Sequence, residues 1–193
     1  MKLPTLDARA LILISAAIVI DNVVGETVYL LKIPLFLDCI GIFTVAILAG
    51  PFAAAVAGAL GIFIGGITVQ PFALPFVPVG FMIGLTAGAL ARAGGFRTWW
   101  LAMLSGALIG IPTTILSVPI IVFMFGGVTG NGADFASDYM VAVGSSLIKS
   151  VGFTNLGISL IDKSFTGLMA FIIANQLPLR LSTNFRFFAH SRG

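Results

Sequence analysis

The chain has little of what most protein chemistry is built from. It holds one cysteine, Cys39, and one histidine, His190. A single cysteine excludes an internal disulfide, and no cysteine–histidine spacing suits a zinc site. A serine or cysteine hydrolase needs a base facing its nucleophile. Gly144-Ser145-Ser146 is present, but the lone histidine stands in the polar tail. No G-x-x-x-x-G-K-[ST] sequence occurs, so the chain lacks the phosphate cradle of a P-loop ATPase. Charge is scarce too. Only 9% of the residues are Asp, Glu, Lys or Arg, against roughly 25% in an ordinary soluble domain.

What is present is apolar. Hydrophobic residues make up 59% of the 193, and the mean hydropathy is +1.13. A soluble fold must keep a largely polar surface and has no place for so much apolar area. Lipid removes that constraint. The expected fold is an all-α integral membrane protein, a single membrane domain over residues 1–193. A spanning helix takes about 20 residues. Six spans fit the apolar runs, at about 8–28, 35–48, 52–67, 79–91, 99–125 and 158–177. An outer loop is expected at about 126–150 and a basic tail at 178–193. Gly50-Pro51 separates the second and third spans, because proline lacks the amide donor and glycine is permissive. The apolar stretch behind Lys2 and Arg9 has the outline of a secretory signal. It continues without a small-x-small cleavage pattern, so it reads as a retained first span.

The net charge of +3 reflects topology rather than nucleic acid, since the basic residues stand at span ends. With the N-terminus inside, Lys2, Arg9, Arg92, Arg97, Arg180, Arg186 and Arg192 fall on the cytoplasmic side, and Lys32 and Lys149 on the other. This bias predicts a multi-pass plasma-membrane protein with both termini in the cytoplasm. Small residues recur four apart, as in Ala46, Gly50, Ala54 and Gly58, in Gly80, Gly84 and Gly88, and in Gly106 and Gly110. Such rows let helix backbones approach closely in lipid. They serve either the chain's own packing or a docking surface for another membrane protein.

An ionisable side chain at the centre of a spanning helix costs about 2.5–3.5 kcal/mol even on conservative scales, so each needs a reason. Asp21, Glu26, Asp38, Asp162 and Lys163 are the candidates. Asn22 and Glu26 share a helical face. With Asp38, one turn into the second span, they either cap helices or wall an outward-opening pocket. Asn155 stands seven residues before Asp162, on about the same face. That face lines a ligand site or carries a structural ion pair. Phe72 and Phe76, in a proline-rich loop, offer stacking faces. Asn131 and Tyr139 belong to a glycine-rich segment that forms a plain hairpin or a lid, with Asp134 capping a short helix running to about Lys149. The candidate substrate-binding set is therefore Asn22, Glu26, Asp38, Phe72, Phe76, Asn131, Tyr139, Asn155 and Lys163, with no catalytic and no metal-binding residue. A small intramembrane enzyme, a channel and a stand-alone secondary transporter are the competing classes.

Five stretches carry a resemblance. Ile33-Pro34-Leu35-Phe36-Leu37-Asp38-Cys39-Ile40-Gly41, then Ala46-Ile47-Leu48-Ala49-Gly50-Pro51, and then Ala55-Val56-Ala57-Gly58-Ala59-Leu60 resemble S components of energy-coupling factor (ECF) transporters. Gly127 to Asp134 and Leu160-Ile161-Asp162-Lys163-Ser164 look like that family's fifth loop and last helix. The resemblance implies a six-helix, non-enzymatic subunit that captures a vitamin near the outer face, between the loops after spans 1, 3 and 5 and the outer parts of spans 4 to 6. It implies as partners a membrane T component and two cytoplasmic ATPases, with the bound vitamin as cargo rather than cofactor. Family substrates include riboflavin, thiamine, biotin, folate, pantothenate, pyridoxine-type compounds and cobalamin. The Leu-Asp-x-Ile-Gly pattern and the Asp-Lys pair look most like the cobalamin-type branch. The family's Ala-x-x-x-Ala docking pattern on the first helix has only Ser15 with Val19, or Ala16 with Ile20, in its place.

Overall fold

A computed structural model describes residues 8–176. The described chain is helical, with no strand. Its helices are α1 (Ala8–Leu30), α2 (Ile40–Ala49), α3 (Pro51–Thr68), α4 (Val77–Arg92), α5 (Trp99–Phe125), α6 (Asp134–Ala142) and α7 (Leu147–Gln176), with a short 3₁₀ turn over Pro71–Phe76 leading into α4. Five segments are long and apolar enough to cross a membrane: α1, α3, Pro71–Arg92, α5 and α7. The tail predicted at 178–193 lies outside the described residues.

α2 departs most from expectation. A helix was predicted from residue 35, but it begins at Ile40 and has 10 residues, about 15 Å of rise. The hydrocarbon core of a bilayer is about 30 Å thick, so α2 as a helix crosses about half of it. Its sequence is apolar on every side, which suits a helix surrounded by protein. Every residue from Ile40 to Leu48 is buried, against α1, α3, α4 and α7. Residues 35–39 have no regular secondary structure, and Leu37 has a left-handed φ of 47°. α2 ends where predicted, at the Gly50-Pro51 break. Gly50 takes φ 87° and Pro51 opens α3, where its missing N–H is no loss.

The small-residue rows are internal seams. A side-chain carbon at Gly58 would lie 2.2 Å from the Gly80 carbonyl oxygen, and one at Gly84 2.1 Å from that of Ala54. α3 and α4 therefore pack backbone to backbone and antiparallel. On the other side of the bundle, a side chain at Gly106 would lie 1.9 Å from the Lys163 carbonyl oxygen, and one at Gly167 2.3 Å from that of Ala102. This joins α5 to α7. Contacts of Gly61 with Ile18 and of Gly65 with Asn22 set α3 parallel to α1. Ala8, the turn holding Arg92 and Arg97, and Gln176 thus share one end of the bundle. The other end holds the α1–α2 linker, the Pro71–Phe76 turn and loop 126–133. Large apolar side chains stay exposed, such as Leu11, Ile12, Val19 and Val23 on α1 and Ile115 and Phe123 on α5, as lipid-facing surfaces require.

The last span starts earlier than 158. α7 opens at Leu147 and runs 30 residues, so Lys149 and Asn155 are helical. The expected loop of 126–150 shrinks to 126–133, followed by α6 and a short turn. α6 ends at Ala142 rather than near Lys149. Asp134 does not cap it. Its carboxylate reaches back to accept hydrogen bonds from the amides of Thr129, at 2.8 Å, and Gly130.

Candidate binding cavity

The half-length α2 leaves a space above its N-terminus. A cavity of about 220 Å³ occupies it, at the end of the bundle away from the arginines. Its wall comes from α1, the 35–38 segment, α3, the Pro71–Phe76 turn, α4, α5, loop 126–133 and α7.

Two buried aspartates make the broken helix possible. The first amides of a helix have no intrahelical acceptor, and in lipid no water replaces it. Asp21 of α1 accepts from Gly41 N–H at 2.6 Å and Ile42 N–H at 3.0 Å, closing the exposed end of α2. Asp162 of α7 accepts through Oδ1 from Phe36 N–H at 3.0 Å and Leu37 N–H at 2.8 Å, holding the non-helical segment before α2.

Lys163 completes this cluster. It is 1% exposed. Its Nζ donates to Asp38 Oδ1 at 3.1 Å and to Cys39 Sγ at 3.2 Å. It stands 2.8 Å from Asp162 Oδ2, an ion pair without the angle of a hydrogen bond. The Phe36 ring lies 5.7 Å from it. Adjacent helix residues point about 100° apart, yet the long lysine stem curls back to its neighbour. An ammonium so placed is anchored on two carboxylates.

The upper wall is lighter in charge. Asn22 donates from Nδ2 to Ile18 carbonyl at 2.8 Å and to Gly61 carbonyl at 3.2 Å, tying α1 to α3. Glu26, one turn on, accepts from the Gln70 side-chain amide. Rings close the top: Tyr29 lies 5.6 Å from Phe72, Phe72 6.5 Å from Phe125 edge-on, and Phe76 stacks on Phe125 at 5.9 Å and 9°. Loop 126–133 folds over this rim. Lys32 donates to the Gly130 carbonyl, and Asn131 braces the loop by donating to Thr129 Oγ1 and accepting from Ala133 N–H. Gly130 has φ 82°, and a side chain there would lie 2.7 Å from the Tyr29 hydroxyl, so the loop's approach needs glycine.

Eight of the nine predicted residues line this cavity: Asn22, Glu26, Asp38, Phe72, Phe76, Asn131, Asn155 and Lys163. Tyr139 does not. It is 70% exposed on α6, turned away because α6 packs its other side on α7. The face shared by Asn155 and Asp162 also divides: Asn155 lines the cavity while Asp162 is fully buried behind it. The row on the wall is instead Asn155, Ser159 and Lys163, spaced four apart. Asp21, Tyr29, Phe36, Gln70, Ser117 and Ser159 line the cavity outside the predicted set. Ser159 was legible, being one turn from both Asn155 and Lys163. Tyr29 stands three residues after Glu26 on the same face.

No family model, curated protein or solved structure matches this chain.

Proposed function

We propose that the chain is a non-enzymatic, substrate-capturing membrane subunit of the ECF S-component kind, taking up a vitamin or related micronutrient at this cavity. The observation that carries the reading is the convergence of polar and aromatic side chains from three long helices, α1, α5 and α7, and three connecting segments on one pocket lined by few charges. Ligand sites are concave, mostly apolar and supplied with a few placed polar groups. Counting the 35–39 segment and α2 as one crossing gives six. The arginine bias orients both termini to the cytoplasm in the plasma membrane and the cavity mouth outward. With no nucleotide-binding loop of its own, the chain depends for energy on a T component and two cytoplasmic ATPases. A cavity of about 220 Å³ favours a compact ring compound over a cobalamin, whose macrocycle is far larger.

A second reading has an observation behind it. Carboxylates and a lysine beside a broken helix are also the furniture of secondary transporters. Reconstitution separates the two. In proteoliposomes the purified chain alone should bind substrate without accumulating it, with or without a proton gradient. Gradient-driven accumulation by the chain alone would establish the secondary transporter, and single-channel currents in a planar bilayer would establish a channel.

A further inference from the structure

We propose that the molecule captured in this cavity is an organic cation, a compact planar ring bearing a protonated amine or a quaternary nitrogen. The inference rests on the reading of the cavity as a small-molecule site, and it follows from which of the cavity's polar groups are already engaged.

Lys163 is engaged. Its ammonium is 1% exposed and shared between Asp38 and Asp162, so it is not held out for a ligand's anion. The carboxylates outnumber it. Asp21, Glu26 and Asp38 line the cavity and Asp162 stands directly behind it, four acids against one base. Asp21 and Asp162 are each met by two backbone amides. Glu26 is left facing the space, and Asp38 faces it while sharing Lys163 with Asp162. Glu26 has only the neutral Gln70 amide, and among the described residues no cation pairs with it. The Asp38 side chain is 46% exposed. Both acids line the same cavity. Lys32 does not reach in. It is committed at the rim to the Gly130 carbonyl and to the Tyr29 ring, 4.4 Å away. An ionised carboxylate in a low-dielectric pocket is unfavourable until a proton or a positive charge joins it.

A second feature points independently to a ligand. Asn155 is 6% exposed and lines the cavity, and its side chain makes no hydrogen bond among the described residues. Ser159, 1% exposed and one turn along, is likewise without one. Their polar groups open onto the cavity rather than being sealed off, so a donor–acceptor face on the guest meets them there. Opposite stand Tyr29, Phe72 and Phe76, whose ring faces attract cations and stack on planar rings. Among the described residues no three His, Cys, Asp or Glu side chains are grouped to hold a metal, which favours an organic cation over an inorganic one.

The test uses the full chain purified in detergent and yeast extract separated by ion exchange into cationic, neutral and anionic pools. Thermal unfolding is followed with each pool. The cationic pool should raise the midpoint by several degrees, and the other two should leave it unchanged. Stabilisation by the neutral or the anionic pool instead would overturn the proposal while leaving the cavity a small-molecule site. Stabilisation by none of the three would overturn both. Glu26→Gln keeps the contact with Gln70 and removes only the charge. It should shift half-saturation by the active cationic fraction about ten- to a hundred-fold, and an unshifted curve would contradict the assignment. Asn155→Leu supplies a check without a charge change. The free protein should unfold no earlier than the parent, and the stabilisation by the cationic fraction should be lost; stabilisation kept in full would remove the polar face from the proposal.

Discussion

Lys163 meets carboxylates on two sides, and this decides what its loss should do. Removing one partner of a buried ion pair leaves uncompensated charge and typically costs about 3–5 kcal/mol. Lys163→Met should therefore lower the unfolding midpoint sharply, and Lys163→Met combined with Asp162→Asn should recover part of that loss. The asparagine keeps one oxygen for the Phe36 and Leu37 amides while removing the orphaned charge. Equal midpoints for the single and double variants, measured by thermal unfolding in detergent, would refute the structural role. Asp21 offers a parallel case. Asp21→Ala strips both acceptors from the first turn of α2, which should cost about 1–3 kcal/mol, and Asp21→Asn should cost less. Sequence reasoning found these residues because ionisable groups in an apolar run are conspicuous. Asp38 was a candidate partner for Lys163, but the partners of the aspartates were not found: Asp162 meets Phe36 and Leu37 some 125 positions away, and nothing local announces such a meeting.

At the scale of elements, the tightest contact lies between α5 and α7. Gly106 faces the Lys163 carbonyl oxygen, so Gly106→Ala should push the helices apart, lower stability and displace the lysine from Asp38. Gly157 lies on α7 with open space where its side chain would go. Gly157→Ala should be neutral or stabilising by up to about 1 kcal/mol, the helix propensity difference. A comparison of unfolding midpoints checks both, and equal effects would deny the seam. The helices themselves were largely legible: Gly50-Pro51 marked a true break, and α5 matched its apolar run from end to end. Two starts were not. Residues 35–39 read as the start of an apolar helix, but the amides of Phe36 and Leu37 are held by Asp162 instead. The first turns of α7 carry Ser150, Thr154 and Asn155, which look like loop residues until their buried positions against protein and cavity are known.

The whole molecule has two unlike ends, one with Arg92 and Arg97 and one with the cavity. A cysteine at Val128, in the loop of the cavity end, should react with an impermeant thiol reagent added to intact cells. A cysteine at Thr98, between α4 and α5, should react only after permeabilisation, and the native Cys39 is buried. The reverse pattern would invert the molecule and place the cavity mouth in the cytoplasm. The central claim, that the cavity above α2 holds one small molecule, is tested most directly by native mass spectrometry of the chain released from detergent. The account predicts a single small-molecule adduct at one per chain. The adduct should be lost when Ser117→Phe fills the pocket, with the variant still folded. A bare chain under conditions that retain bound lipid, or an adduct that persists unchanged in the filled variant, would contradict it.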